Sequence, residues 1–257
     1  MLVNGKIIMK RDKFFQNKYI LVTGSSSGIG QQIAKDFLDL GSFVGVHYNS
    51  NKAGAKKLLK YAKKNKCKIF KSNLSKQKDV LKLWKNFIRW SRGKVDILIN
   101  NAGYAKPISF ENLSGEEWDK TLAVNLKAAF ILSKSAIKIM SKKKNGRIIN
   151  ISSGGWQYGG GKKTVHYSVS KAALEALTIA TSKIGAKDKV LVNTIRPGAT
   201  KTDFHKKIGR TNLLERTNLI PLKRMARTDE ISNAVIFLCG EKSSFITNSV
   251  IDVRGGE

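Results

Sequence analysis

The sequence predicts an α/β fold: a single domain in which seven parallel strands form one doubly wound sheet with helices on both faces. Three observations carry this expectation. Short apolar runs alternate with longer helical stretches along the whole chain of 257 residues, as parallel strands joined by helical crossovers require. A glycine-rich turn follows the first apolar run and opens directly into the first helix. No linker or internal repeat divides the chain, and a chain of this length buries about three quarters of its unfolded surface around one core.

The elements follow in order. The first strand spans 19–23 and leads through the glycine turn into a helix over 29–40, which Gly41-Ser42 closes. Strand 43–48, helix 52–64, strand 68–71, helix 76–90 and strand 95–100 complete the first half. A long helix over 115–140 precedes strand 147–151, and a helix over 167–186 ends at the turn Lys187-Asp188-Lys189. Strand 190–195, helix 229–238 and strand 249–253 finish the sheet. Right-handed crossovers place these helices on both faces. Two stretches resist assignment. Residues 153–163 hold Gly154, Gly155, Gly159, Gly160 and Gly161, and 197–227 is long, basic and weakly periodic. Both follow strands at the carboxyl edge, where open sheets of this kind bind ligands, so 197–227 is expected to be a substrate lid.

Composition narrows the class. Lys and Arg number 48 against 18 acidic residues, a net charge of +30. Such an excess raises nucleic acid, anionic membrane and acidic protein as partners. Lys outnumbers Arg nearly four to one and is spread along the chain, which reads as codon composition rather than as a nucleic-acid surface. No apolar run approaches a membrane span, and no secretory signal opens the chain, so a reducing cytoplasm is the expected compartment. Residues 1–17 form a basic extension in which Met9 offers a second start. Cys67 and Cys239 are too few for a disulfide framework or a zinc site, and no metal is expected.

The chemistry sits at the strand ends. Thr23-Gly24-Ser25-Ser26-Ser27-Gly28-Ile29-Gly30 lets the backbone approach a pyrophosphate at a helix N-terminus. Its spacing is G-x-x-x-G-x-G rather than the commoner G-x-G-x-x-G. Asn100-Asn101-Ala102-Gly103 ends the fourth strand, and Ser152-Ser153 follows the fifth. Tyr167-Ser168-Val169-Ser170-Lys171 opens the next helix, and Pro197-Gly198-Ala199-Thr200-Lys201-Thr202 follows the sixth strand. In this order the set resembles the short-chain dehydrogenase/reductase family, from about Lys18 to Gly256.

The residues themselves support that chemistry. Tyr167 and Lys171 are four apart and share one helical face. A phenol is a poor acid or base at neutral pH, and a neighbouring ammonium favours its ionised form. The resemblance implies a Rossmann-type catalytic domain over 1–257 that interconverts a carbonyl and a secondary alcohol. In it Tyr167 transfers the proton, Ser153 orients the carbonyl, Lys171 also holds the nicotinamide ribose, and Asn125 supports a proton relay. Ser152 competes for the serine role, and the family pattern favours Ser153. By the same resemblance the dinucleotide lies on Thr23, Gly24, Ser26, Ser27, Gly28, Ile29 and Gly30. It continues along Tyr48, Asn49, Ser50, Asn73, Leu74, Asn101, Ala102 and Gly103, then Pro197, Gly198, Thr200 and Thr202, with Tyr167 and Lys171.

Cofactor choice is read after the second strand, where enzymes using NAD(H) place a carboxylate. His47-Tyr48-Asn49-Ser50-Asn51-Lys52 holds no acid. Asn49 and Ser50 offer hydrogen bonds to a 2′-phosphate, and Lys52 or His47 adds charge, so NADP(H) is expected over NAD(H). Ser27 stands where many NADPH enzymes carry a basic residue, Asn73 replaces a usual Asp, and Asn248 a common glycine. Arg254 replaces a usual acid before Gly255-Gly256, and a changed subunit contact is the one reading the sequence offers for it.

Among members, the resemblance is closest to the 3-oxoacyl-carrier-protein reductases, with a homotetramer or homodimer implied. Sugar, steroid and small-alcohol dehydrogenases share every motif quoted. A non-catalytic NADP-binding sensor or nucleic-acid-associated protein is the reading from another class, and the complete set Ser153, Tyr167, Lys171 and Asn125 argues against it. Residues 200–227 carry eight basic and two acidic side chains, a net of +6, which leans towards an anionic or carrier-linked carbonyl. Trp156 and Tyr158 either line a pocket or pin their loop. Lys142, Lys143 and Lys144 end one helix, and Lys187 and Lys189 end its neighbour. The resemblance makes this cluster a docking point for an acyl carrier protein or another acidic partner.

Overall fold

The computed structural model describes residues 2–3, 6–7, 13–63, 65–209 and 212–257. Met9 and Arg210 lie outside the described residues, as do residues 1, 4, 5, 8 and 10–12 of the basic extension. A separate antiparallel pair, Leu2–Val3 with Lys6–Ile7, precedes the main sheet. The sheet contains β1 (Tyr19–Val22), β2 (Phe43–Tyr48), β3 (Cys67–Lys71) and β4 (Ile97–Asn100). β5 (Gly146–Ile151), β6 (Val190–Pro197) and β7 (Val250–Val253) complete it. Their order is 3-2-1-4-5-6-7, and every pairing is parallel. The chain is therefore one Rossmann-type α/β unit. Its direction of winding reverses between β1 and β4, which opens a crevice at their carboxyl ends.

Alternation along β1 divides the core in two. Ile20 and Val22 join Ile33 and Phe37 of α1 (Gly28–Asp39), with Ile231 and Val235 of α9 (Thr228–Cys239). Leu21 faces the other way, with Leu83 and Phe87 of α3 (Gln77–Trp90) and Leu132 and Met140 of α5 (Ala128–Lys143). Both faces being covered, the central strands are apolar at nearly every position. Cys67 and Cys239 are free and buried, and burial pushes the Cys67 thiol up to about 12.

Several boundaries differ from the sequence expectation. The helix expected over 115–140 is α4 (Gly115–Leu122), a π-helical turn (Ala123–Lys127), then α5. Apolar spacing does not reveal that one turn is widened by a residue, and such turns gather at functional sites. α2 (Lys52–Tyr61) stops three residues short of the expected end, and α6 (Val165–Ala186) begins two residues early. The stretch expected as a lid contains two short helices, α7 (Phe204–Lys207) and α8 (Leu213–Asn218). The glycine-rich stretch after β5 contains a 3-10 turn over Gly154–Tyr158.

Candidate active site

The first turn shapes a cradle. Gly24 adopts φ +63° and lies against the Ala102 backbone, 2.8 Å from where its Cβ would stand. A Cβ on Gly30 would collide with the Asn101 amide and stand 2.7 Å from the Gly24 carbonyl oxygen. Asn101 Nδ2 donates to the Thr23 and Gly24 carbonyls at 2.9 and 3.1 Å. The buried Thr23 hydroxyl accepts the Asn101 and Ala102 N–H groups, both at 3.0 Å. Thr23 and Asn101 thus shape the site with side chains committed to the scaffold. Thr202 packs on Gly28, its Cγ2 3.2 Å from a Cβ there.

Two side chains behind this turn act differently from the sequence reading. His47 is 2% exposed, accepts the Gly24 N–H at Nδ1 (2.9 Å), and faces the Ser72 carbonyl at Nε2 (3.1 Å). Burial pushes its pKa down to about 4, so it is neutral and supplies no charge to a phosphate. Asn51, which the sequence reading passed over, caps α2 by accepting the Gly54 N–H at 2.9 Å and donates to the Ser26 carbonyl at 3.0 Å. Its cue was an Asn directly before a helix. Asn49 and Ser50, just after β2, and Lys52, the first residue of α2, are exposed, while Tyr48 is buried. Asn73 Oδ1 accepts from the Ser75 N–H and hydroxyl at 3.0 and 2.8 Å, and Leu74 is buried in the core.

Across the crevice the π-helical turn carries Asn125 inward. Its Oδ1 accepts the Tyr104 N–H at 2.7 Å, and its Nδ2 donates to the Tyr104 carbonyl (3.0 Å) and the Ser170 hydroxyl (2.8 Å). Lys171 is 2% exposed, donates to the Ile151 carbonyl at 2.6 Å, and lies 5.7 Å from the centre of the Tyr167 ring. Burial pushes its pKa down to about 8. Gly103 adjoins both groups: a Cβ there would stand 3.8 Å from Lys171 Nζ and 4.0 Å from Asn125 Oδ1. Ser152 is buried and donates to Glu175 at 2.6 Å, whereas Ser153 is half-buried at the start of the 3-10 turn and accepts the Gly155 N–H at 3.3 Å.

The profile of the family described as enoyl-(acyl carrier protein) reductase matches residues 24–257. The 3-oxoacyl-[acyl-carrier-protein] reductase FabG of Buchnera aphidicola (subsp. Schizaphis graminum) is 35% identical over 241 residues, 94% of this chain and 97% of that protein. The enzymes of the same name from Aquifex aeolicus and Escherichia coli are 35% and 31% identical, each over 94% of this chain and 97% or 98% of their own length. The chain belongs to the short-chain dehydrogenase/reductase family. It is an NAD(P)-dependent oxidoreductase of the ketoreductase type.

The cradle of this dehydrogenase/reductase fits a dinucleotide. The first N–H groups of α1 have no intrahelical acceptor, Ser27 makes no side-chain cap, and no acid stands in the first turn. An anion is the natural partner for such an end. The Phe204 ring of α7 lies 5.5 Å from the Tyr167 ring, and a Cβ on Gly209 would stand 3.9 Å from Pro107 Cγ. The positive excess of 200–227 is partly neutralised: Arg224 and Arg227 pair with Glu230 and Asp229, and Arg216 with Glu257. Trp156 pins its loop by donating to Glu175 at 2.7 Å, while Tyr158 is exposed. Among the described residues no helix is long and apolar enough to cross a membrane, and no His, Cys, Asp and Glu cluster could hold a metal.

Proposed function

We propose that the chain reduces a 3-oxoacyl thioester, with NADPH as reductant and an acyl carrier protein as the bearer of the substrate, in the cytoplasm. The meeting of Lys171, Asn125 and Gly103 beside Tyr167, beyond a dinucleotide cradle, carries this reading. The start of α1 with Ser26, Ser27, Thr200 and Thr202 would hold the pyrophosphate. Asn49, Ser50 and Lys52 would meet the 2′-phosphate, and Asn73 and Leu74 the adenine side. Asn101, Ala102, Gly103, Pro197 and Gly198 would border the nicotinamide, and Tyr167 and Lys171 its ribose. The bound cofactor supplies a hydride to the carbonyl carbon. Tyr167 gives its phenolic proton to the carbonyl oxygen, and the Ser153 hydroxyl donates a hydrogen bond to that oxygen. Lys171, still charged below pH 8, stabilises the phenolate left behind. Asn125 holds the Tyr104 backbone and Ser170 so that a proton can return from solvent.

The absence of acid at Asn49 and Ser50 supports NADPH. Asn49→Asp is expected to shift preference towards NADH by repelling the 2′-phosphate, and kinetic efficiency with NADH at least equal in the unaltered enzyme would sink the assignment. Because the matching family is described by enoyl reduction, C=C reduction is the second reading. A panel of acetoacetyl thioester, crotonyl thioester, keto sugars and simple ketones separates them. Turnover of the crotonyl substrate alone would replace the ketoreductase reading.

Two apolar faces support a homotetramer over a homodimer. Phe130, Ile179 and Ile184 are exposed on α5 and α6, and Phe237, Phe245 and Val250 along α9 and the edge strand β7. An uncovered edge strand is ready to pair, and sedimentation velocity tests the state directly.

A further inference from the structure

The turn that carries Ser153 is rich in glycine, and its own bonds are short-range, from Gly155 N–H to Ser153 Oγ and from Gly159 and Gly160 N–H to Trp156 and Gly155 carbonyls. Its anchors come from α6, β6 and β7. Glu175 on α6 accepts three bonds at Oε1: from Ser152 at 2.6 Å, Trp156 Nε1 at 2.7 Å and Arg196 Nε at 2.9 Å. Its Oε2 accepts Arg196 Nη2 at 2.6 Å. Burial raises the Glu175 pKa, but the bonds from Arg196, Ser152 and Trp156 outweigh it and hold the group below the ordinary carboxylate value. Arg196 on β6 also lies over the Trp156 ring at 5.3 Å and donates to both oxygens of Asp252 on β7, at 3.0 and 3.2 Å.

The chain then turns back. Arg254 Nε lies 2.7 Å from Asp252 Oδ1, an ion pair without hydrogen-bond alignment, and Arg254 Nη1 donates to Gln157 Oε1 at 2.6 Å. The stem of Arg254 fills the space above Gly154, whose Cβ would stand 2.5 Å from Arg254 Cδ, and its backbone adjoins Gly198. Its side chain is only 14% exposed. Two carboxylates and two guanidiniums thus form a closed path from Ser152 and Trp156, on either side of Ser153, to Gln157. A buried charged network of this kind specifies geometry more than it adds stability.

We propose that Arg254 is a positioning residue for Ser153: with Gln157 and the path through Asp252, Arg196 and Glu175, it sets the turn from which the Ser153 hydroxyl addresses the substrate oxygen. The proposal rests on the reading of Ser153 as the hydroxyl of the site. Arg254→Met keeps most of the stem and removes the guanidinium. It is expected to lower kcat about tenfold through misplacement of the hydroxyl, with KM for NADPH unchanged and partial recovery in Arg254→Lys. In a Ser153→Ala background the same change should cost nothing further, because no hydroxyl remains to be misplaced. Equal losses in both backgrounds, or no loss in either, would overturn the proposal. Should Arg254→Met fail to fold, Gln157→Ala at the exposed end of the path enters the same cycle. Amide hydrogen exchange gives a readout independent of turnover. Faster exchange over 152–158 with α1 unchanged supports the proposal, and unchanged exchange refutes it, even if no carbonyl in the panel is reduced and the ketoreductase reading itself fails.

Discussion

Removing the phenolic oxygen of Tyr167 leaves its ring against Phe204 but takes away the transferable proton. Tyr167→Phe is therefore expected to lower turnover by about 10²-fold or more, with dinucleotide affinity changed little in a fluorescence titration, because Lys171 still holds the ribose; near-normal turnover would remove Tyr167 from its role. His47 makes a different prediction. Its folded pKa, about 4, lies below the ordinary value of 6.5, so the unfolded chain binds more protons between those limits. Stability is then full above pH 6.5 and falls as pH drops towards 4, by on the order of 3 kcal/mol. Protonation at Nδ1 also removes the acceptor for the Gly24 N–H. Urea unfolding from pH 7 to pH 4 should show this loss, and a His47→Gln variant should show less of it. The Tyr167 and Lys171 pair was legible from spacing, because i and i+4 share a helix face. The neutral state of His47 was not, since it depends on burial beneath the glycine turn.

At the scale of elements, the turn between β1 and α1 has no room for a side chain at Gly30. Gly30→Ala is expected to cost about 1–3 kcal/mol through overpacking and to weaken dinucleotide binding, because Asn101 and the Gly24 carbonyl must both move. Thermal unfolding and a binding titration check it, and unaltered values in both would mean that the turn is slack. Motif order made this turn legible. The π-helical turn behind Asn125 was not, because one inserted residue leaves the apolar pattern on either side intact. Nor was the link from Asn51 to Ser26, which joins elements 25 residues apart.

At the scale of the whole molecule, part of the charge excess gathers at one rim of the sheet. β5 and β6 pair Gly146 with Val190 at their starts, so the preceding ends of α5 and α6 bring exposed Lys142, Lys143, Lys144, Lys187 and Lys189 to one rim. This is the amino edge of the sheet, opposite the edge where Ser153 follows β5. A six-residue strand separates the two edges, about 20 Å, so a carrier docked at this rim needs a flexible arm of at least that reach. Reversing charge at Lys144 and Lys187 is expected to raise KM for a carrier-linked substrate several-fold and to leave a small thioester unaffected, an effect that shrinks as salt screens exposed charges. Equal change on both substrates would remove this docking point.

By itself the sequence determined the order of strands and helices, the glycine turn, the pairing of Tyr167 with Lys171 on one helix face, and the family. These are local patterns: apolar periodicity, glycines where backbone must come close, and a Tyr and a Lys one helical turn apart. Only the tertiary structure decided what each polar side chain is spent on. His47 became a neutral support, Ser152 a partner of Glu175, Trp156 a pin for its loop, and Arg216, Arg224 and Arg227 partners of nearby carboxylates. Arg254, for which the sequence offered no more than a subunit contact, turned inward to Gln157. The physical reason is that a side chain's charge and availability depend on burial and on partners distant in sequence: Arg254 and Gln157 are 97 residues apart.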